Sequence, residues 1–262
     1  MSVPNPNNIP GIFNWCDRWC ERCPMTARCT LYQQEQEDRA ILESDLSQEE
    51  KMEKIREKLT ETLEMLGDSE EEFEMDFDEI DEEEQEEVMH EQEINEIKID
   101  IHPISDLSES YMKESMEWLR KKRKDPVFIP YFDIMYSEEK FPIPPSKEIS
   151  KVINLLETVQ WYQTMIPVKC RSAFNYLADK SFWDDYPVEE RGYNGTAKVA
   201  LLCVDNSIKA WKGLLFWSNN EEDSIMPLIE KLIEIKHMME SEFPDAYLFI
   251  RPGFDKKEDE SF

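Results

Sequence analysis

Apolar side chains recur every three or four residues in five stretches after residue 99, and this periodicity limits the fold more than any other feature of the chain. The stretches are DLSESYMKESMEWLRKK, SKEISKVINLLETVQWYQTM, VKCRSAFNYLAD, TAKVALLCVDNSIKAWKGLLFW and DSIMPLIEKLIEIKHMMESEF. Such spacing is typical of amphipathic helices. Only six glycines occur, which disfavours a phosphate-binding loop or a Rossmann turn. The sequence therefore predicts an all-α protein with a bundle of about four to six helices.

Local signals divide this region further. Pro167 separates the second stretch from the third, and Thr196 in YNGT has the residue type of a helix cap for the fourth. In that fourth stretch Val204, Ile208 and Trp211 belong to one apolar stripe, whereas polar positions such as Asp205 could line a pocket. Strand signals are weak and are confined to PVFIPYFDIMY and AYLFI. We expect residues 99–262 to form one helical domain.

A separate amphipathic helix is predicted for residues 41–67. Ser47 and Glu50 have the spacing of a capping box, and Gly67 stands where the helix would stop. Apolar residues follow the box at helical spacing: Met52, Ile55, Leu59, Leu63 and Leu66. Their regular spacing predicts one apolar face on this helix.

Negative charge is concentrated after this helix. The chain has 59 acidic and 30 basic side chains, for a net charge of -29, and 14 of the 20 residues from 68 to 87 are Asp or Glu. Such a run repels itself and buries too little apolar area to offset its ordering entropy, so residues 68–98 are predicted to be a disordered linker. The charge also disfavours binding to nucleic acid or anionic lipid. A basic protein partner for the run remains an alternative to a simple spacer.

Four of the six cysteines lie within 14 residues, in the stretch NWCDRWCERCPMTARCTLY. An even distribution would place about 0.3 cysteines in a window of that length. The start of the chain has no export signal and no apolar run reaches the roughly 18 residues of a membrane span, so we expect a cytoplasmic protein. In a reducing compartment such a cluster favours metal binding over disulfides.

The spacing of the cluster is Cys16-x3-Cys20-x2-Cys23-x5-Cys29, with Pro24 after the third thiol. Zinc sites commonly use two Cys-x2-Cys turns, and this chain has one. A compact run of four thiols with a following proline is typical of iron–sulfur ligation. We expect these four cysteines, in a metal-binding segment spanning residues 1–40, to hold an iron–sulfur cluster of the 4Fe–4S type, with zinc as the alternative.

Two families share part of this pattern. Cys16-x3-Cys20-x2-Cys23 matches the cysteine spacing of radical SAM enzymes, but the barrel of alternating strands and helices in that family is not predicted here. CERCPMTARC resembles the Cys-x2-Cys-Pro-x4-Cys staple of RecB-like nucleases, which clamps an iron–sulfur cluster. The resemblance implies the ligand chemistry alone, because the nuclease signature is reduced to Glu96-x-Lys98.

The remaining thiols, Cys170 and Cys203, stand alone in apolar surroundings. A free cysteine in such a setting packs as a small hydrophobic residue. We therefore expect both to be buried and unreactive.

Helix bundles also raise a second metal hypothesis, because ferritin-like di-iron proteins place a Glu-x-x-His pair on each of two helices. This chain contains Glu87-x-x-His90 and Glu234-x-x-His237. Three histidines in so acidic a sequence give about 0.7 such pairs by chance. A chance origin is therefore favoured over a second metal site.

Two functions follow from these patterns. The first is a metal-binding helical protein that acts as an interaction or regulatory module for another protein. The alternative is a ferritin-like di-iron redox enzyme in which the cysteine cluster serves electron transfer or assembly. The first is preferred because its ligands can be named, whereas no catalytic residue set can be assembled.

Overall fold

The computed structural model describes residues 6–72, 82–137, 145–178, 180–218 and 220–255, and this part of the chain is helical and contains no strand. The α-helices are α1 Thr30–Glu43, α2 Gln48–Glu72, α3 Glu82–Asp100, α4 Pro103–Lys122, α5 Ile129–Met135, α6 Lys147–Ala178, α7 Lys180–Trp183, α8 Gly192–Ser218 and α9 Glu222–Glu242. The all-α prediction is confirmed for these residues. The predicted bundle size is not, since they form more than six helices.

The chain divides into two compact units. The first contains Met1–Phe13 with Cys20–Ile94, and the second contains Asn14–Trp19 with Asn95–Phe262. A short peptide from near the amino terminus therefore belongs to the carboxyl-terminal helical unit, which the predicted domain boundaries did not anticipate.

Helices α1 and α2 of the first unit pack against each other across a short turn. Ser47 and Glu50 form the predicted capping box: the Ser47 amide donates to Glu50 Oε2 at 2.8 Å, and the Glu50 amide donates to Ser47 Oγ at 3.3 Å. Lys58 on α2 reaches Asp38 on α1 at 2.8 Å. The predicted stop at Gly67 is wrong, because α2 continues to Glu72.

The apolar face predicted on α2 is exposed where the structure describes it. Met52 is 62% exposed and Leu59 is 58% exposed. Of the segment predicted to be a disordered linker, residues 68–72 are in α2 and residues 82–98 are in α3, whereas residues 73–81 lie outside the described residues. A disordered linker in this part of the chain therefore stays a prediction.

Four long helices, α4, α6, α8 and α9, form the core of the second unit. Helix α8 is central: 16 of its 27 residues are buried, which is typical of a helix covered on all sides. The predicted stripe is at this centre, with Val204, Ile208 and Trp211 all buried. A buried hydrogen bond from Trp211 Nε1 to Tyr111 Oη, 3.0 Å long, ties α8 to α4.

Two predicted helix boundaries are wrong. Helix α6 runs through Pro167 for 32 residues, because its side chains on both sides of the proline are buried in one hydrophobic core. Helix α8 begins at Gly192, so Thr196 is a buried residue inside the helix rather than its cap.

The amino terminus of α4 is capped by a histidine. His102 Nδ1 accepts a hydrogen bond from the Ile104 amide at 3.3 Å, and Pro103 occupies the first helical position.

Two polar residues of α8, Lys198 and the possible pocket residue Asp205, hold the unit together. Lys198 Nζ donates to the Phe249 carbonyl at 2.7 Å and pairs with Asp255 at 2.8 Å. Asp205 pairs with Lys236 of α9 at 2.7 Å. Lys198 therefore attaches the carboxyl-terminal peptide to the first half of α8, and Asp205 links α8 to α9.

Candidate functional site

The cysteine-rich segment is made of short helical turns. Single 3-10 turns cover Ile12–Trp15, Cys20–Arg22 and Thr26–Arg28, and α1 follows at Thr30 with Cys29 as its N-cap residue. All four cysteines of the segment are partly exposed, and none of them is in a disulfide.

Cys20 and Cys23 form a tight turn, and Pro24 follows it directly. The Cys23 amide donates to the Cys20 carbonyl at 3.2 Å, and the Met25 amide donates to Cys23 Sγ at 3.4 Å. Because proline has no N–H, the Met25 amide is the next backbone donor after Cys23. Hydrogen bonds from amides to sulfur stabilise thiolate ligands and tune the potentials of iron–sulfur centres.

Residues 7–9 form hydrogen bonds with the end of the cysteine-rich segment and the start of α1. The Ile9 amide donates to the Arg28 carbonyl at 3.0 Å, and Arg28 Nε donates to the Asn7 carbonyl at 2.9 Å. Asn8 and Gln33 exchange side-chain hydrogen bonds of 3.0 and 3.1 Å. These bonds hold the backbone on both sides of Cys29 in a defined position.

Cys16 belongs to the second unit, in the peptide Asn14–Trp19, which we call the docking peptide. Asp17 anchors it to α6: Tyr162 Oη donates to Asp17 Oδ2 at 2.6 Å, and Trp161 Nε1 donates to the Asp17 carbonyl at 3.0 Å. Trp19 stacks on Trp161 with 5.3 Å between ring centroids. The peptide is therefore a structural part of the helical unit.

Two further features fix the docking peptide. Arg18 has a φ of 57°, a left-handed conformation that is uncommon outside glycine, and it lies between the anchored residues Asp17 and Trp19. Trp15 packs on Phe249 with 4.8 Å between ring centroids, against a surface of α8 opened by Gly195. A Cβ at Gly195 would lie 2.7 Å from the Trp15 ring, so only glycine admits this approach.

The environment of Cys16 favours its protonated form. Burial raises the pKa of the Cys16 thiol, although a hydrogen bond involving the Arg18 backbone works in the opposite direction. A metal ligand must be a thiolate, so binding at Cys16 would release a proton.

The other two cysteines are buried as expected. Cys170 and Cys203 are each 1% exposed and free. Burial raises the pKa of Cys170 to about 12 and that of Cys203 well above its usual value. Neither thiol has the lowered pKa of a reactive nucleophile.

The second metal hypothesis gains no support. Glu234 and His237 are exposed on α9, and His90 is exposed on α3 of the first unit, where Glu87 also belongs. A di-iron site requires such pairs to project into a bundle interior. Across the described ranges, no three His, Cys, Asp or Glu side chains are grouped so that they could hold a metal ion. Metal binding by the cysteines therefore stays a prediction.

Sequence reasoning missed Asp17, Trp161 and Tyr162, the residues that fix the docking peptide. A signal for them does exist, since Trp161 and Tyr162 are adjacent and adjacent residues point to different sides of a helix. Large aromatic rings on two sides of α6 indicate that something besides a single neighbouring helix covers it. Only the structure shows that the cover is the peptide around Cys16.

The described part of the chain is thus helical, with four cysteines in short turns near its amino terminus. Comparisons with family models, with curated proteins and with solved structures find no match for this chain. Within the described ranges, no helix has both the length and the apolar character needed to cross a membrane.

Proposed function

We propose that the protein is a metal-binding interaction module, in which Cys20, Cys23 and Cys29 ligate an iron–sulfur cluster and Cys16 completes the ligand set. The observation that carries this proposal is the Cys20–Cys23 turn, where the Met25 amide already donates to Cys23 Sγ at 3.4 Å. A thiolate that accepts an amide hydrogen bond is stabilised for ligation. The helical unit then serves as the surface that contacts another protein.

Metal content after single substitutions tests the ligand set. Each of C16S, C20S, C23S and C29S should lower bound metal sharply in protein purified without oxygen, because each thiolate completes the same coordination shell. C170S and C203S are the matched controls and should keep the metal, since both thiols are buried in the helical core. A double variant such as C20S/C23S should lose little more than either single variant.

The identity of the metal is read in the same preparations. Thiolate-bound iron–sulfur centres absorb broadly at about 400 nm, whereas a zinc site is colourless. Elemental analysis gives the iron and zinc content independently. Complete alkylation of all four thiols in metal-free native protein would contradict the proposal, whereas retention of metal by C16S alone would remove Cys16 from the ligand set.

A further inference from the structure

An aromatic patch covers one surface of the helical unit near the end of α6. It consists of Tyr176, Phe182, Trp183 and Tyr186, and Trp183 is its centre. Ring centroids of Phe182, Tyr186 and Tyr176 lie 4.9, 5.4 and 6.1 Å from that of Trp183. Phe182 is 60% exposed and Tyr186 is 42% exposed. Contiguous exposed rings of this kind mark binding surfaces more often than scattered ones do.

The patch is held rigidly from behind. Arg191 fixes the loop that carries it, donating from Nε to the Tyr186 carbonyl at 3.0 Å and from Nη2 to the Asp184 carbonyl at 3.4 Å. The Trp183 ring rests on Gly192, where a Cβ would lie 2.6 Å from the ring. The rings are therefore positioned before any partner binds, which reduces the entropic cost of association.

Acidic residues outnumber basic ones by four to two in the stretch 180–191 that carries the patch. Asp184 and Asp185 follow Trp183 directly and are exposed, whereas the basic residues are the exposed Lys180 and Arg191, whose guanidinium is directed to backbone carbonyls of the loop. The whole chain carries a net charge of -29. Aromatic faces beside carboxylates attract cations, and arginine is favoured over lysine because its planar guanidinium stacks on rings and pairs with carboxylates.

We propose that this aromatic patch docks an arginine-containing basic segment of another protein, with guanidinium groups stacked on Phe182 and Tyr186 and paired with Asp184 and Asp185. The inference rests on the proposed role as an interaction module, but it does not depend on the metal.

Fluorescence anisotropy with the full-length protein tests the proposal. The probe is a labelled twelve-residue peptide of alternating Arg and Gly, at a salt concentration of about 0.15 M to screen long-range attraction. The double variant F182A/Y186A should bind it about tenfold more weakly, since two exposed cation–π contacts are lost. F216A is the matched control, because Phe216 is 89% exposed on α8 and its removal leaves the net charge unchanged. It should bind like the wild type.

Further variants separate the contributions. D184N/D185N should weaken binding and reduce its salt dependence, and a peptide with citrulline in place of arginine should not bind. If F182A/Y186A is less stable than the wild type, F182L/Y186L keeps the apolar bulk without the aromatic faces and should show the same loss. Equal binding by wild type and F182L/Y186L, or equal binding of the citrulline peptide, would overturn the proposal.

Sedimentation distinguishes a second copy of the chain as the occupant. A wild-type dimer that F182A/Y186A converts to monomers would assign the patch to self-association and reject the basic segment.

Metal content of the same variants separates the proposal of docking at the aromatic patch from the proposal of metal binding by the cysteines. A loss of peptide binding with metal retained is the expected result, and loss of metal without loss of peptide binding would affect only the ligand set.

Discussion

Asp17 is the residue on which the docking peptide depends. Its carboxylate accepts from Tyr162 Oη at 2.6 Å, and its carbonyl accepts from Trp161 Nε1 at 3.0 Å. The same carboxylate accepts from the Trp19 amide at 3.2 Å. One side chain thus sets the conformation of the peptide and attaches it to α6.

We predict that Y162F destabilises the protein by about 1.5 to 3 kcal/mol, the usual range for losing a hydrogen bond to a charged group. Asp17 would then be left half-buried with one donor fewer. Urea unfolding followed by tryptophan fluorescence measures the change. Y247F is the control, since its exposed hydroxyl bonds Glu240 at 3.2 Å at the surface. Equal stability of Y162F and the wild type would show that the docking peptide is not anchored by this bond.

Asp255 makes the stability of the folded protein depend on pH in the acid range. Burial alone would raise the pKa of its carboxyl, but hydrogen bonds from Arg251 and Lys198 outweigh burial and lower the pKa to about 2. The contribution to stability is therefore present above the unfolded pKa of about 3.9 and is lost as pH falls toward 2. The shift corresponds to at most about 3 kcal/mol, and solvent screening of this partly exposed carboxyl reduces it.

We predict that D255N lowers the free energy of unfolding near pH 6 and flattens its decline between about pH 4 and pH 2. Urea unfolding at a series of pH values gives both quantities. D223N is a suitable control, because Asp223 is exposed in the first turn of α9. A D255N profile that falls as steeply as the wild-type profile over this range would reject the assignment.

At the scale of single elements, α6 shows how burial overrides a local signal. Pro167 removes one backbone donor in the interior of the helix. Ile166 and Cys170 on either side of it are buried in the core of the second unit. Stopping the helix at Pro167 would expose this apolar surface, which costs more than the missing hydrogen bond.

We predict that P167A stabilises the protein by about 1 kcal/mol, because alanine restores the missing helical hydrogen bond. P103A is the control: Pro103 is at the start of α4, where no helical bond is lost, so its replacement should change stability little. Thermal unfolding compares the two variants. A destabilised P167A would mean that α6 needs the backbone geometry that proline imposes at this position.

At the scale of the whole molecule, the second unit is assembled from two separate parts of the chain. The docking peptide Asn14–Trp19 is separated in sequence from the helices that it packs against by all of the acidic run. The segment from about residue 68 to 95 remains the predicted site of proteolysis because of its composition. A cut there would leave the docking peptide and the helices on different fragments.

We predict that limited digestion with a glutamate-specific protease cuts between residues 68 and 95 and leaves a folded carboxyl-terminal fragment. The amino-terminal fragment should stay bound to it through Asp17, Trp15 and Trp19 and should elute with it in gel filtration. D17A is the informative variant, because its fragments should separate after the same cut. Protection of the entire acidic segment, or separation of the wild-type fragments, would contradict this prediction.

Helical content, the capping box at Ser47 and the burial of Cys170 and Cys203 follow from local patterns, and the structure confirms them. These features depend on residues close in sequence or on the polarity of a single stretch, which periodicity and residue type express directly. The close spacing of four cysteines in the sequence is equally local, so the ligand prediction came from the sequence, and the structure adds the hydrogen bond from the Met25 amide to Cys23 Sγ.

Three other features depend on contacts between distant residues. Helix α6 continues through Pro167 because distant helices bury both of its halves, and α8 begins early because Trp15, Trp183 and Phe249 approach its first turn at two glycines. The docking peptide joins the helical unit through residues about 145 positions away. Local propensity contains no information about such partners, so the division of the first 20 residues between two units was decided by tertiary packing alone.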